Sequence, residues 1–456
     1  MLQAFTTWSD EISERLDPFY YSSGIKSFRQ KLDKLNTKRL SDLIDGITKG
    51  ETPLWRGDSY TDEGVPFLKA QNINPEGITG EIAYIPTPVD SRMRRSQLNG
   101  GELLYTMAGT IGVATLFPTD YGRANINQAI AKITVKSGID KEYLVIILNS
   151  DICKTQAKIL VTAVAQPNIN FEQIKSIRIP YMNEDTRNKI IKVYREDKKL
   201  IQYKKQKAQE LLAGVDDYIL DKLGISIDQA DSSTTFSVWS DEIENRFDPK
   251  YMRSNKAFKD IEPKYKRVKL DDLLLQPPQY GANERAIEGN KKNDIRYIRI
   301  TDIDENGSLV DDDWKTAEQI ENKYLLENND LLFARSGATA GKSYIHTNEA
   351  SKAIFAGYLI RFKIDPKKAS PNFVFILTKT SYYKLWKDLI QRPSGQPNIN
   401  SEEFKSFELP LPPIETQNEI VIEVNKRNQE ARALLDQINA SLKEAKSKIE
   451  QMILGA

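Results

Sequence analysis

A segment of about 230 residues that occurs twice constrains this chain more than any other feature. WSDEISERLDPFYY from Trp8 returns as WSDEIENRFDPKYM from Trp239, and FLKAQNINPEGI from Phe67 returns as YIRITDIDENGSL from Tyr297. ELLYTMAGTIGVATLF from Glu102 returns as DLLFARSGATAGKSYI from Asp330, and ANINQAIAKITV from Ala124 as AIFAGYLIRFKI from Ala353. QPNINFEQIKSIRIPY from Gln166 returns as QPNINSEEFKSFELPL from Gln396, with QPNIN identical. The blocks keep their order at spacings of 228 to 231 residues. Such a chain folds as two copies of one unit, not as one compact domain.

Each copy changes character at a proline. Before Pro180 and Pro410 lie short β-like runs such as VPFLKA, EIAYI, AIAKITV, RYIRI and YLIRFKI, punctuated by Gly, Pro and Asn. After them comes a long helical stretch. From Glu415 the positions Val421, Val424, Asn428, Ala431, Leu435, Ile438, Leu442, Ala445, Ile449 and Met452 step alternately by three and four, the spacing of a coiled-coil seam. From Asp185 to about Leu223 a weaker seam runs through Tyr194, Ile201, Ala208, Leu211, Val215 and Tyr218. An amphipathic helix can pack on its own domain. Two helices of similar length at equivalent places more simply bury their seams against each other, so the pairing set is Ile201, Ala208, Leu211, Val215, Tyr218, Val424, Ala431, Leu435, Ile438, Leu442 and Ile449. The expected fold is α+β: two strand-rich mixed α/β domains in tandem, separated and linked by two long helices in an antiparallel coiled coil. The boundaries are 1–183 for the first domain, 184–225 for the central helix, 226–238 for a linker, 239–413 for the second domain and 414–456 for the last helix. At about 1.5 Å per residue each helix would span roughly 50 to 60 Å, more than one turn of B-DNA at about 34 Å.

Composition excludes several enzyme classes. One cysteine, Cys153, and one histidine, His346, leave no material for an internal disulfide, a Cys/His metal site or a histidine-based triad. Both are expected to be ordinary packing or surface residues. No basic leader and no run of about 18 uncharged apolar residues is found, so the chain is expected in the cytoplasm, without a membrane. The 65 basic and 64 acidic residues are not the balance of a bare DNA binder, so affinity for DNA must come from local patches or from a partner subunit.

SGATAGKS, Ser336 to Ser343, ends like a phosphate-binding P-loop. A Walker A loop places four residues between its glycines, whereas Gly337 and Gly341 enclose only Ala338, Thr339 and Ala340. The aligned AGTIGVAT of the first copy has no lysine. These glycines therefore suit a tight turn between strands, with Arg335 and Lys342 available to phosphates.

Two divergent strand-rich domains, each ending in QPNIN, a proline-bearing strand and a long helix, resemble the Type I restriction-modification specificity subunit family over essentially the whole chain. DGITKGETPLWRGDSYTDEGVPFLKAQNI is similar to that family's opening strand, G-x-T-P turn and apolar strand; the second copy has QPPQY, Gln276 to Tyr280, at the place of the turn, followed by Gly281. The resemblance implies two target-recognition domains and a non-catalytic subunit. It further implies two adenine methyltransferase subunits bound through the helices, restriction subunits beyond them, and S-adenosylmethionine and ATP with Mg held by those partners. No catalytic, cofactor-binding or metal-binding residue is expected in this chain. Base readout requires polar and basic side chains on loops. Candidates in the first copy are Thr52, Trp55, Arg56, Lys69, Gln71, Asn72, Arg92, Arg94 and Arg95; in the second they are Gln279, Tyr280, Arg285, Lys291, Lys292, Arg299, Arg335, Lys342 and Arg392. The alternative at each is a solvated surface. QPNIN can read adenine through its polar side chains or cap the following helix, and the capping role is favoured. Trp8 and Trp239, with Asp17, Pro18, Asp248 and Pro249, are expected to anchor each domain's entry to the helices. A DNA-binding specificity subunit for a bipartite double-stranded site is the favoured function; a coiled-coil scaffold without DNA, or an ATPase or nuclease, are the alternatives.

Overall fold

Short runs rich in β-branched residues form the strands, and in the computed structural model both copies build a four-stranded antiparallel sheet and a parallel strand pair from them. Residues 18–53, 59–161, 167–227, 249–348, 350–390 and 397–455 are described. The chain divides into two units, Met1–Lys205 with Asp436–Ala456, and Gln206–Leu435. The anchors Trp8, Asp17, Trp239 and Asp248, and nearly all of the expected linker, lie outside the described residues.

In the first unit the strands β1 (Ile44–Lys49), β2 (Val65–Leu68), β3 (Leu103–Thr106), β4 (Ala114–Leu116), β5 (Ala124–Ile126) and β6 (Ile130–Val135) precede two helices, α1 (Lys141–Leu148) and α2 (Asp151–Leu160). An antiparallel sheet has the order β1-β6-β3-β4, and β2 lies parallel to β5 in a second sheet. Every residue of β3 is buried, as are the last six of α1, so α1 is an internal helix rather than a surface one. Its start is set by Asp140, whose carboxylate accepts from the Glu142 and Tyr143 N–H groups. A strand at Thr37–Arg39 pairs antiparallel with Arg178–Pro180 and leads into α3 (Glu184–Leu223).

The second unit repeats this: β7 (Gln279–Tyr280), β8 (Arg296–Ile298), β9 (Leu331–Ala334), β10 (Ser343–Ile345), β11 (Ala353–Phe355), β12 (Leu359–Phe362), α4 (Pro371–Leu377), α5 (Ser381–Ile390) and α6 (Ile414–Leu454). Its sheet order is β7-β12-β9-β10, and β8 is parallel to β11. Register corrects the sequence alignment at one place. Lys132 opposes Thr48 in the first unit and Arg361 opposes Gln279 in the second, which makes Lys49-Gly50 the counterpart of Tyr280-Gly281. QPPQY thus enters the strand and does not replace the G-x-T-P turn. Both glycines are required by close approach: a Cβ at Gly50 would overlap the carbonyl of Ile126, and one at Gly281 those of Phe355 and Ala356.

Each unit's core takes in both long helices. Ile190 and Ile191 of α3 join Ile449 and Ile453 of α6 in the first core; Ile219, Leu220 and Leu223 of α3 join Ile420 and Val424 of α6 in the second. The seam of α3 is as expected, with Ile201 and Ala208 buried and Leu211, Val215 and Tyr218 half-buried. In α6 three of the ten expected seam positions are displaced. Val424, Ala431, Ile438 and Ile449 are buried, but Leu435 and Leu442 are 45% and 38% exposed, and Asn428 is exposed. The inward column is instead Arg427, Leu434 and Ser441, each one residue earlier. Leu434 and Leu435 are equally apolar, so heptad counting does not separate them. What selects the column is Arg427, which donates from Nη1 to the Gly214 carbonyl on α3 at 2.8 Å and lies 4.6 Å over the Tyr218 ring. Ile438→Ala is therefore expected to cost about 2 kcal/mol, and Leu435→Asp less than about 0.5 kcal/mol. Urea denaturation of both variants checks this.

Candidate nucleic-acid interface

The hairpin that leaves the buried central strand organises one end of each unit. In the first unit the Met107 N–H donates to Ala129 O at 2.7 Å, the Ile169 N–H donates to Met107 O at 3.0 Å, and Ala108 bridges Asn168. In the second, Arg335 N–H donates to Tyr358 O at 2.9 Å, Ile399 N–H to Arg335 O at 2.7 Å, and Ser336 bridges Asn398. The segment after β1 or β7 joins them, with the Gly357 N–H donating to Ala282 O at 2.7 Å, and Thr52 hydrogen-bonded to Gln128. The glycines of the hairpin match: Gly109 and Gly337 both have φ +73°, Gly112 and Gly341 both +88°. The second hairpin is one residue longer, since Leu103 pairs with Leu116 but Leu331 with Ile345. SGATAGKS is thus a turn between strands, and Lys342 pairs with Glu305 at 2.8 Å.

The repeated QPNIN divides its labour. Ile169 and Ile399 are fully buried, while Asn170 and Asn400 cap the next helix in capping boxes with Gln173 and Glu403. The remaining Asn168 and Asn398 are exposed at the loop surface. Gln166 and Gln396 lie outside the described residues.

Around this frame the two surfaces differ. In the second unit Arg335 lies 5.1 Å over the Tyr280 ring and its Nε donates to Asn398 Oδ1 at 3.4 Å. The Tyr280 hydroxyl bonds Ser401, and Tyr358 stands 62% exposed beside them. At the matching places the first unit has Met107, Lys49 and Ala129, with Asn168 unchanged. Tyr358 carries no motif and was not expected from sequence; its only signal is a large aromatic in a Gly-Tyr turn.

The expected candidates distribute unevenly. Arg92, the last residue of the helix Thr87–Arg92, and Arg94 and Arg95 on the segment that follows are exposed, and the Thr48 hydroxyl of β1 donates to Arg95 O at 3.4 Å, which sets that segment beside the candidate end. Buried Asp90 anchors it by accepting from Asn125 and Gln97 and pairing with Arg123. Gln71 is exposed, and Lys69 packs 4.4 Å over the Tyr60 ring. Asn72 is corrected: it is 1% exposed, its Oδ1 accepts from the Lys69 N–H, and its Nδ2 donates to Thr79 and Glu81 carbonyls. Its counterpart Asp302 occupies the same place and ties up Arg299, which also pairs with Asp313. Arg299 is therefore a structural cation; the Asp302 hydrogen bond holds its guanidinium pKa above the usual arginine value. Gln279 accepts from buried Arg361. Arg285 is exposed two residues beyond Asn283, whereas Lys291 and Lys292 lie on a separate exposed turn where Lys291 pairs with Asp311. Trp55, Arg56 and Arg392 lie outside the described residues. Cys153 is fully buried, and burial pushes its thiol up to about 12. Buried His346 bonds the Tyr344 hydroxyl, and burial lowers its pKa. Among the described residues no cluster suits a metal ion and no helix is long and apolar enough to cross a membrane.

The two units thus share one duplicated framework that carries different side chains at matching places. The Type I restriction modification DNA specificity domain matches residues 32–213 and again 264–444. The chain belongs to that family. It is similar to the Type I restriction enzyme StySPI specificity subunit of Salmonella potsdam, 25% identical over 175 residues, which is 37% of this chain and 38% of that relative's length. In fold it is similar to a solved chain of a type I R-M system, with TM-score 0.53, 13% identity, and coverage of 92% of this chain and 98% of that one. The S subunit of a Type I restriction-modification system from M. genitalium aligns at TM-score 0.46 and 13% identity, over 92% of this chain and 96% of that one.

Proposed function

We propose that this chain is the non-catalytic recognition subunit that directs an adenine methyltransferase, and a restriction subunit where one is present, to a bipartite asymmetric DNA site. The observation that carries it is the divergence of side chains on a common loop frame whose hairpin differs in length by one residue: Arg335, Tyr280 and Tyr358 in one unit against Met107, Lys49 and Ala129 in the other. Backbone that is retained while its exposed chemistry changes is what two readers of two different half-sites require. The long helices set the unread spacer and bind two methyltransferase subunits in the cytoplasm. S-adenosylmethionine and ATP belong to those partners. Much of the phosphate contact also comes from them, because the chain itself is nearly neutral, at +1.

Single-molecule methylome sequencing with and without the gene tests this. Loss of N6-methyladenine at one bipartite motif is expected. Exchange of the first domain for a relative's changes one half-site, and a change of about one heptad in both helices changes the spacer alone. An unaltered methylome, with the methyltransferase expressed, would sink the proposal in favour of a protein-only scaffold.

A further inference from the structure

A cavity of about 410 Å³ opens in the second unit between the hairpin end at Lys342, the turn bearing Glu305 and the start of α5. Lys342, Lys379, Lys384 and Lys387 line it, against only Glu305 and Asp216. Asp216 is already engaged, accepting from the Ser381 N–H at 3.0 Å and so capping α5. Glu305 pairs with Lys342, but its side chain is 83% exposed, and an ion pair of that kind contributes little. It is a counter-ion that a better anion can displace.

The same scaffold stands in the first unit with different side chains at the matching places. Lys379 Nζ donates to Ser343 O at 2.9 Å; Asn149 holds the corresponding place, where its side chain accepts from the Ala114 N–H and donates to the carbonyls of Ala114, the counterpart of Ser343, and of Val145. By the spacing of α2 and α5, Lys387 replaces Ala157, while the residue after the +88° glycine is Lys342 in one unit and Val113 in the other. Three of the four ammonium groups thus belong to the second unit alone. Asn149 meets the strand-carbonyl bond without a charge, so what the second unit adds is the positive charge and not the bond.

We propose that this cavity binds a phosphate group, with Lys379 and Lys387 as direct donors and Lys342 released from Glu305 to complete the set. Lysine serves as a mobile point charge for phosphate, and several ammonium groups around a small volume favour a multiply charged anion over a carboxylate. Burial lowers Lys379 to about 8, with Asp304 and Glu305 opposing that shift and Lys342 adding to it. An anion in the cavity favours the charged form, so binding takes up a proton and weakens as pH rises past about 8. The phosphate can come from a DNA backbone or from a free polyphosphate; the first source rests on the DNA-binding function proposed above, the second does not.

Calorimetric titration of the full chain with sodium tripolyphosphate at matched ionic strength, alongside DNA titrations of its assembled complex over a salt series, tests the site. One saturable tripolyphosphate site is expected, weakened at least about tenfold in Lys387→Ala and in Lys379→Met, with Lys154→Ala in the first unit unchanged. If the backbone is the source, tripolyphosphate competes with DNA and Lys387→Ala lowers the log–log salt slope by about one. If DNA affinity is unchanged while tripolyphosphate binding is lost, the ligand is a free polyphosphate. No saturable tripolyphosphate binding together with an unchanged salt slope overturns the site. Failure of the wild-type complex to bind DNA at all overturns the DNA reading alone, and tripolyphosphate then decides this one.

Discussion

Arg361→Ala is expected to destabilise the second unit by about 3–5 kcal/mol. Arg361 is 6% exposed and pairs at 3.2 Å with Asp330, which is 2% exposed. Its guanidinium also donates to the Leu325 carbonyl at 2.8 Å and the Lys323 carbonyl at 3.0 Å. Truncation leaves the buried Asp330 carboxylate with the Glu327 N–H at 2.9 Å and Lys363 at 3.7 Å as its partners, and takes a donor from the Leu325 and Lys323 carbonyls, of which Lys323 keeps the Gln279 amide at 3.3 Å. Lys132, its counterpart in the first unit, pairs with Glu102 at 3.4 Å with both side chains more accessible. Lys132→Ala should therefore cost about 1 kcal/mol. Hydrogen exchange resolved by unit measures both, and it avoids treating a two-unit chain as one two-state transition. Equal losses in the two variants would show that burial does not decide the cost.

The second large effect concerns recognition. The double variant Arg335→Ala with Tyr358→Ala is expected to weaken DNA binding about 100-fold at fixed salt, since each lost polar contact to a base edge or phosphate contributes about 1–3 kcal/mol. Stability should be nearly unchanged, because Tyr358 is largely exposed and Arg335 lies over the face of Tyr280 at the surface. The loss should fall on one half-site. A footprint that weakens equally over both half-sites would assign these side chains a general electrostatic role and remove them from base readout.

The repeat, the strand-rich units and the two long helices are legible in the sequence because each is written in periodicity over many residues. Finer features are not. Leu434 and Leu435 satisfy the same heptad rule, and the choice between them is made by an arginine on the same helix reaching Gly214 and Tyr218. Asn72 and Arg299 have loop-like neighbours and polar side chains, yet in each unit the position after the parallel strand turns inward, where an amide or carboxylate must satisfy backbone N–H groups. Tyr358 is invisible because its block repeats in the other copy with Ala129 at the matching place, so the repeat marks the position as framework and says nothing of its side chain. Sequence pattern reports which faces are buried; it does not report which polar groups a buried backbone requires.

The entry of C-terminal residues of α6 into the first core has a consequence for how the chain reaches its native state. Ile449 and Ile453 complete a core whose other members begin at Leu32, so the N-terminal unit closes only with residues that leave the ribosome more than 400 positions later. Sequence-distant closure of this kind slows folding and leaves apolar surface open during synthesis. The nascent first unit is accordingly an incomplete globule until α6 arrives, and a ribosome stalled before Asp436 would display it as a substrate for chaperones and proteases.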